Sequence, residues 1–125
     1  MFEVELTDNP FARFLTAHIE NPDQSPKGAQ DLAGYVCFWV VFEELRMMNL
    51  AVAPHVRRRG IGRWLLQQAL TTGREQGARR ALLEVRVSNH SAVALYEQAG
   101  FSRSGIRAKY YTNPVEDAVL MELEL

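Results

Sequence analysis

Apolar and polar positions alternate along this chain with two different periods, and the change from one to the other marks out its elements. Ala12 to Glu20 reads as a strand. Leu32 to Phe42 is rich enough in β-branched and aromatic residues for a buried strand. Glu43-Glu44 then makes a tight turn into a third strand, Leu45 to Val52. The short connections predict an antiparallel meander. From Gly60 to Gln76 the period becomes helical, with Ile61, Trp64, Leu65, Ala69 and Leu70 on one face and Gly77 as the stop. Ala81 to Val87 returns to strand. Asn89 is suited to cap a helix that runs to about Ala99, with Gly100 ending it. Phe101 to Arg107 and Ala118 to Leu125 are two further strands. The second places Val119, Met121, Leu123 and Leu125 on one face. The loop between them contains Lys109-Tyr-Tyr-Thr-Asn-Pro114. Residues 2–8 read as a short helix end, and Asn21 to Gln30, with two prolines and a glycine, as a loop. The fold class is therefore α/β: one mixed sheet flanked by helices, in the order β-β-β-α-β-α-β-β after that initial helix end.

Composition narrows the function classes. The 125 residues are enough for one domain spanning 1–125 and too few for two. Apolar residues at 47% and charged residues at 23% are the balance of a globular domain. A net charge of −1 carries no polyelectrolyte signal, so no nucleic-acid partner is expected. The apolar run Tyr35 to Phe42 is too short to span a bilayer, and Met1-Phe-Glu-Val-Glu5 has no signal-peptide pattern, so no membrane partner is expected either. The single cysteine, Cys37, cannot form a disulfide within the chain, which fits a cytoplasmic location. It sits in that apolar run, where burial raises a thiol's pKa, and reads as packing rather than as a nucleophile. His18, His55 and His90 are scattered without ligand spacing, so no metal site is expected.

The charge that matters is local. Arg57-Arg58-Arg59-Gly60-Ile61-Gly62-Arg63 follows a strand and opens the amphipathic helix. Glycines let the backbone approach a ligand closely. The first amides of a helix lack intrahelical partners, and the dipole is positive at that end. Such a segment suits a pyrophosphate, although a basic loop that merely starts a helix has the same composition. Two rival phosphate motifs fail. A P-loop requires Gly-Lys-Ser/Thr, which does not occur. A dinucleotide fingerprint requires a glycine where Leu65 stands. Glu84 lies on the more polar face of its strand with Arg86 and reads alone as a solvated or ion-paired carboxylate. Tyr96 reads alone as a core aromatic of its helix. Tyr110 and Tyr111 read as strand-end or loop aromatics.

Arg57-x-x-Gly60-x-Gly62 resembles the acetyl-CoA signature of the GNAT acetyltransferase superfamily, Arg/Gln-x-x-Gly-x-Gly/Ala. Asn49-Leu-Ala-Val-Ala-Pro54 resembles that fold's fourth strand. Leu83-Glu-Val-Arg-Val-Ser-Asn89 and Ala94-Leu-Tyr-Glu-Gln-Ala-Gly-Phe101 resemble its fifth strand and fourth helix. The blocks Leu-Glu-Val-Arg-x-Ser-Asn, Ala-Leu-Tyr-Glu and Ile106-Arg-x-x-Tyr-Tyr111 are similar in particular to the bacterial ribosomal-protein alanine N-acetyltransferases. The resemblance covers about residues 10 to 125.

That resemblance implies a GNAT-like sheet in which a β-bulge splays the fourth strand from the fifth and acetyl-CoA, the acetyl donor, fills the gap. Backbone groups of Leu50, Ala51 and Val52 would bond the pantetheine arm. The amides of Arg58, Arg59, Gly60, Ile61, Gly62 and Arg63, behind Arg57, would hold the pyrophosphate, and Asn89 would bond the pantetheine region. Glu84 would be the base, acting through water, and Tyr96 the acid at the cofactor sulfur. Tyr110 and Tyr111 would line the acceptor side. The implied acceptor is a protein N-terminal α-amine, the N-terminal alanine of a small-subunit ribosomal protein; a small-molecule amine, or an inactive acetyl-CoA-binding module, are the alternatives. The superfamily begins with a strand and a helix before the segment that starts here, so the domain is expected to be N-terminally short by about 25 residues. A missing first strand and helix would remove one acceptor wall and bare a sheet edge, which would favour a homodimer.

Overall fold

Both periods are realised in a computed structural model, which describes residues 2–8, 12–20 and 30–125. The β-branched and alternating segments form β1 (Phe2–Asp8), β2 (Arg13–Glu20), β3 (Gln30–Val41), β4 (Glu44–Val52), β5 (Arg80–Arg86), β6 (Ser102–Tyr111) and β7 (Glu116–Glu124). They make one seven-stranded sheet in the order β1-β2-β3-β4-β5-β7-β6. Every neighbouring pair is antiparallel except β4 and β5, which run parallel across the helix that joins them.

The helices are α1 (Ile61–Glu75) and α2 (His90–Gln98). In α1, Ile61, Leu65, Leu66, Ala69, Leu70 and Gly73 are buried, which is the stripe expected from the sequence with Leu66 in place of the half-exposed Trp64. The stripe packs on β2, β3 and β4, against Leu15, Ala17, Val36, Phe38 and Leu45 of the same core. Each large side chain fully buried there contributes on the order of 1.5–3 kcal/mol. Gly77, at φ 91°, ends α1 in a left-handed conformation that suits glycine.

Three expectations need correction. Residues 2–8 are a strand and not a helix end: β1 pairs with β2 in unbroken register from Phe2↔Ile19 to Asp8↔Arg13. The alternation of Phe2, Val4 and Leu6 with Glu3, Glu5 and Thr7 is a strand period, and the open side of β2 supplies its partner. The first strand is consequently present, and only residues 9–12 separate it from β2. Second, the β3–β4 turn is made by Phe42 and Glu43, with Glu44 already in β4. Phe42, at φ 55°, is 94% exposed. Third, the expected 109–114 loop is shorter, because β6 continues through Tyr111. Of the expected 21–30 loop, residues 21–29 lie outside the described residues, and Gln30 opens β3.

Gly73 gives the fold a direct test. It sits inside α1, and a Cβ there would run into the Leu45 side chain, which is fully buried. Alanine improves helix propensity by about 1 kcal/mol, but overpacking of this kind costs about 1–3 kcal/mol. Gly73→Ala is therefore expected to lower stability by up to about 2 kcal/mol, read as a lower urea midpoint at unchanged m-value. A rise in the midpoint would show that Leu45 yields and propensity wins.

Candidate active site

The site begins where two strands part. β4 and β5 pair only at Glu44↔Arg80, Leu45↔Ala81 and Arg46↔Leu82. On its other side β4 stays paired with β3, but the register shifts: Cys37 faces Asn49 and Phe38 faces Met47, so Met48 is the extra residue of a bulge. A bulge bends its strand and increases the local twist. Past it, Leu50, Ala51 and Val52 keep their β3 partners Val36, Tyr35 and Gly34 while the β5 side of β4 has no strand partner. This is the splay that the resemblance implied. A strand edge of this kind can take an extended ligand arm as an added strand.

At the end of β4 the chain passes through a single 3₁₀ turn, Pro54–Val56, and enters α1. Gly60 is the N-cap at φ 79° with no side-chain cap. Arg58, at φ 67°, is also left-handed, which costs a non-glycine residue about 1–2 kcal/mol. Strain of this sort concentrates at ligand sites. Nothing lies within 4 Å of a Cβ built on Gly60, and one on Gly62 would be 3.6 Å from Leu95 Cδ2 and 3.6 Å from Val52 Cγ2. The N-terminus of α1 is thus open above the splayed strands. Two arginines are engaged with the protein: Arg57 Nε donates to Val52 O at 3.2 Å, and Arg63 Nη2 donates to Gln98 Oε1 at 3.4 Å. Arg58 and Arg59 are exposed. An acetyl-CoA pyrophosphate fits this place on three observations: open helix amides, glycines at the approach, and local positive charge.

A cavity of about 360 Å³ lies between Met47–Leu50 of β4 and Leu83–Arg86 of β5, and Asn89, Ala92, Tyr96 and Tyr111 also line it. It lies at the carboxyl ends of the two parallel strands, where α/β sheets bind ligands. A larger open concavity of about 1360 Å³ lies at the other end of these strands. Its walls are the exposed pairs Arg79–Glu43 and Arg80–Glu44, and it contains none of the residues expected in the site.

Glu84 and Tyr96 both line the smaller cavity. Glu84 alternates with the buried Leu83 and Val85, is 23% exposed in its side chain, and has Arg46 Nη1 at 4.0 Å from Oε1. Tyr96 is buried with Val93 on the inner face of α2, and its ring meets Phe101 edge to face at 5.7 Å. Burial, with a smaller contribution from nearby Tyr111, pushes its phenol up to about 12, so the hydroxyl stays a donor. Asn89 Oδ1 caps α2 by accepting from Ala92 N at 3.2 Å. Its side chain therefore holds the helix, and the residue also lines the cavity.

The two tyrosines at the end of β6 meet edge to face at 5.0 Å but differ in what they line. Register shifts between Arg107 and Tyr111 and Lys109 is left-handed at φ 52°. Tyr111 turns into the cavity, whereas Tyr110 is 45% exposed and does not line it. The sequence reading did not identify Arg86 as part of the site. Its Nη1 donates to Pro114 O at 3.1 Å and to Glu116 Oε2 at 3.3 Å, its Nη2 donates to Thr112 O at 3.2 Å, and its Cζ lies 4.5 Å from the centre of the Tyr111 ring. Glu116 also accepts from Ser88 N at 2.7 Å. These hydrogen bonds, Ser88's first and Arg86's after it, hold Glu116 below the usual carboxylate range, so the pair is lost only in acid. The available signal was Arg86 two residues beyond Glu84 on the same strand face; its partners are about thirty residues away and invisible to local pattern. Burial raises the Cys37 thiol, as expected for a packed cysteine. Among the described residues, no group of three or more His, Cys, Asp or Glu is arranged to hold a metal ion, and no helix is long and apolar enough to cross a membrane.

Comparison with known proteins agrees with this geometry. A Bacillus subtilis (strain 168) protein, provisionally named a ribosomal protein bS18-alanine N-acetyltransferase, is 38% identical over 120 residues, 96% of this chain and 74% of its own length. The Escherichia coli (strain K12) ribosomal protein bS18-alanine N-acetyltransferase is 40% identical over 96 residues, 75% of this chain, and the match spans 65% of that enzyme. The crystal structure of the ribosomal-protein-S18-alanine N-acetyltransferase from Escherichia coli superposes with a TM-score of 0.77 at 33% identity, covering 94% of this chain and 71% of that one. The family model described as the acetyltransferase (GNAT) family matches residues 3–101. The chain therefore belongs to the GNAT acetyltransferase family.

Proposed function

We propose that this chain transfers the acetyl group of acetyl-CoA to a protein N-terminal α-amine, with the N-terminal alanine of a small-subunit ribosomal protein as acceptor. The observation that supports this most directly is the shared cavity: Glu84 and Tyr96 line one space between the parted ends of β4 and β5. The names of the relatives supply the acceptor.

Acetyl-CoA supplies an acetyl group already activated as a thioester, so no nucleophile of the chain is required. Leu50 to Val52 present backbone groups to the pantetheine arm, and the first amides of α1, from Gly60 onward, hold the pyrophosphate. The amine must lose a proton as it attacks. Glu84, half-buried and beside Arg46, takes that proton through a water. Tyr96 Oη donates a hydrogen bond toward the sulfur as it leaves. Burial pushes the phenol up to about 12, so it is present as a hydrogen-bond donor throughout the neutral range.

An α-amine suits this arrangement better than a lysine side chain. Its pKa is about 7.7–8.0, so roughly a tenth is neutral at pH 7; lysine at about 10.4 offers only a few molecules in ten thousand. Arg46 to Val52 of β4 holds no acid to make up the difference. In a competition with acetyl-CoA present, a peptide with a free N-terminal alanine is expected to be acetylated, and its N-terminally blocked, lysine-containing counterpart is not. Equal or faster acetyl incorporation into the blocked peptide, measured by mass spectrometry, would overturn the α-amine reading.

A further inference from the structure

We infer that Arg86 is the positioning residue of the acceptor side: it clamps the β6–β7 hairpin so that Tyr111 faces the cavity. The inference rests on the acyl-transfer reading above but concerns a residue outside the acid–base pair. Arg86 is the last residue of β5, two positions beyond Glu84 on the same face. The hairpin it reaches, residues 112–115, joins β6 to β7 and has no strand ladder of its own beyond the Tyr111↔Glu116 pair. Turns of that kind wander unless tied down. Here, beside the Lys109 N–Asp117 Oδ1 and Val87 N–Asp117 O hydrogen bonds at the start of β7, several of the ties come from one guanidinium. Two of its hydrogen bonds go to turn carbonyls, Thr112 O and Pro114 O, and a third goes to the Glu116 carboxylate. The face of the same planar group lies on the Tyr111 ring. Glu116 is held in turn by the Ser88 amide, the segment that leads into α2 and Tyr96. The clamp thus connects the strand of Glu84, the helix of Tyr96 and the hairpin of Tyr111. A guanidinium can do this because it carries five donors in one rigid plane; an ammonium cannot.

Arg86 also lines the cavity, so a loss of activity on its removal would not by itself separate positioning from direct contact. Glu116 does not line it, and that makes it the discriminating partner. The experiment compares Arg86→Gln, Arg86→Lys and Glu116→Gln with the unaltered protein, using an N-terminal-alanine peptide. The expected result is an acceptor KM raised roughly tenfold or more in Arg86→Gln, with the same direction and a smaller size in Glu116→Gln, and little rescue by lysine. The KM for acetyl-CoA should move by less than about threefold, because the β4 edge and the α1 amides are untouched. Amide hydrogen exchange across 110–117 should quicken in Arg86→Gln while that of α1 stays as it was. Acceptor KM unchanged in Glu116→Gln but raised in Arg86→Gln would make Arg86 a direct contact and overturn the clamp. Parallel rises in both KM values, or exchange that quickens throughout the sheet, would make the effect a general loss of structure and overturn it too. Were the unaltered protein inactive on the peptide, the acceptor assignment would fall, and hydrogen exchange alone would decide the clamp: unchanged exchange across 110–117 would refute it.

Discussion

Replacing Tyr96 with phenylalanine is expected to slow turnover by roughly a hundredfold or more while leaving acetyl-CoA affinity and folding nearly unchanged. The substitution keeps the ring and therefore its edge-to-face contact with Phe101 at 5.7 Å. It removes only Oη from a residue that lines the same cavity as Glu84. An interaction made mainly in the transition state shows itself as a loss of kcat without a loss of binding. The pH profile adds a second reading. With the phenol at about 12, the protonated donor persists across the whole neutral and mildly alkaline range, so activity should not decline near pH 10 through loss of this proton. A falling limb near pH 10 that disappears in Tyr96→Phe would show a phenol far less shielded than the burial implies. Turnover like that of the unaltered protein would assign protonation of the leaving sulfur to solvent. Unfolding of the variant would make the hydroxyl structural.

The second large effect belongs to Gly62. A Cβ at this position meets Leu95 and Val52 at ordinary contact distance, so alanine should be accepted by the protein itself. Gly62 is also inside the first turn of α1, where alanine is the better helix former. Any loss must therefore come from the ligand side, where added carbon stands between the backbone and the pyrophosphate. Acetyl-CoA affinity is expected to fall about tenfold in Gly62→Ala and about a hundredfold in Gly62→Val, each tenfold step corresponding to about 1.4 kcal/mol. Calorimetry together with a thermal melt separates binding from folding. Unchanged affinity in Gly62→Val, with a folded protein, would remove the cofactor site from this loop.

How much of the site could be read before the fold was known depends on how far apart its parts lie. Glu84 stood out as a carboxylate between apolar neighbours, and Asn89 as a cap three residues before the amide it accepts from. Arg57 to Arg63 carried its own pattern of glycines and positive charge. Each of these signals fits inside one turn or one strand. The roles proposed for Glu84 and Tyr96 rest on the family resemblance, because periodicity alone describes a paired carboxylate and a core aromatic equally well. Tyr110 and Tyr111 were indistinguishable in the sequence. Which of them faces the cavity is decided by the irregularity after Arg107, a property of the pairing with β7.

Residues 2–8 show the same limit in another way. The strand period was present in Phe2, Val4 and Leu6, but seven residues are few enough to pass for a helix end. The free side of β2 settled it by offering a register. The sequence alone specified two helices and the strands from β2 onward, since these depend on residues a few positions apart. The tertiary structure decided the rest. Met48 becomes a bulge only because Cys37 and Phe38 take Asn49 and Met47, and that single unpaired residue accompanies the early parting of β4 from β5. The clamp of Arg86 on the hairpin joins groups 26 to 30 positions apart. Spacings of that length have no period to reveal them; they exist only once hydrophobic burial has brought the strands together and the remaining donors and acceptors have to find partners within reach.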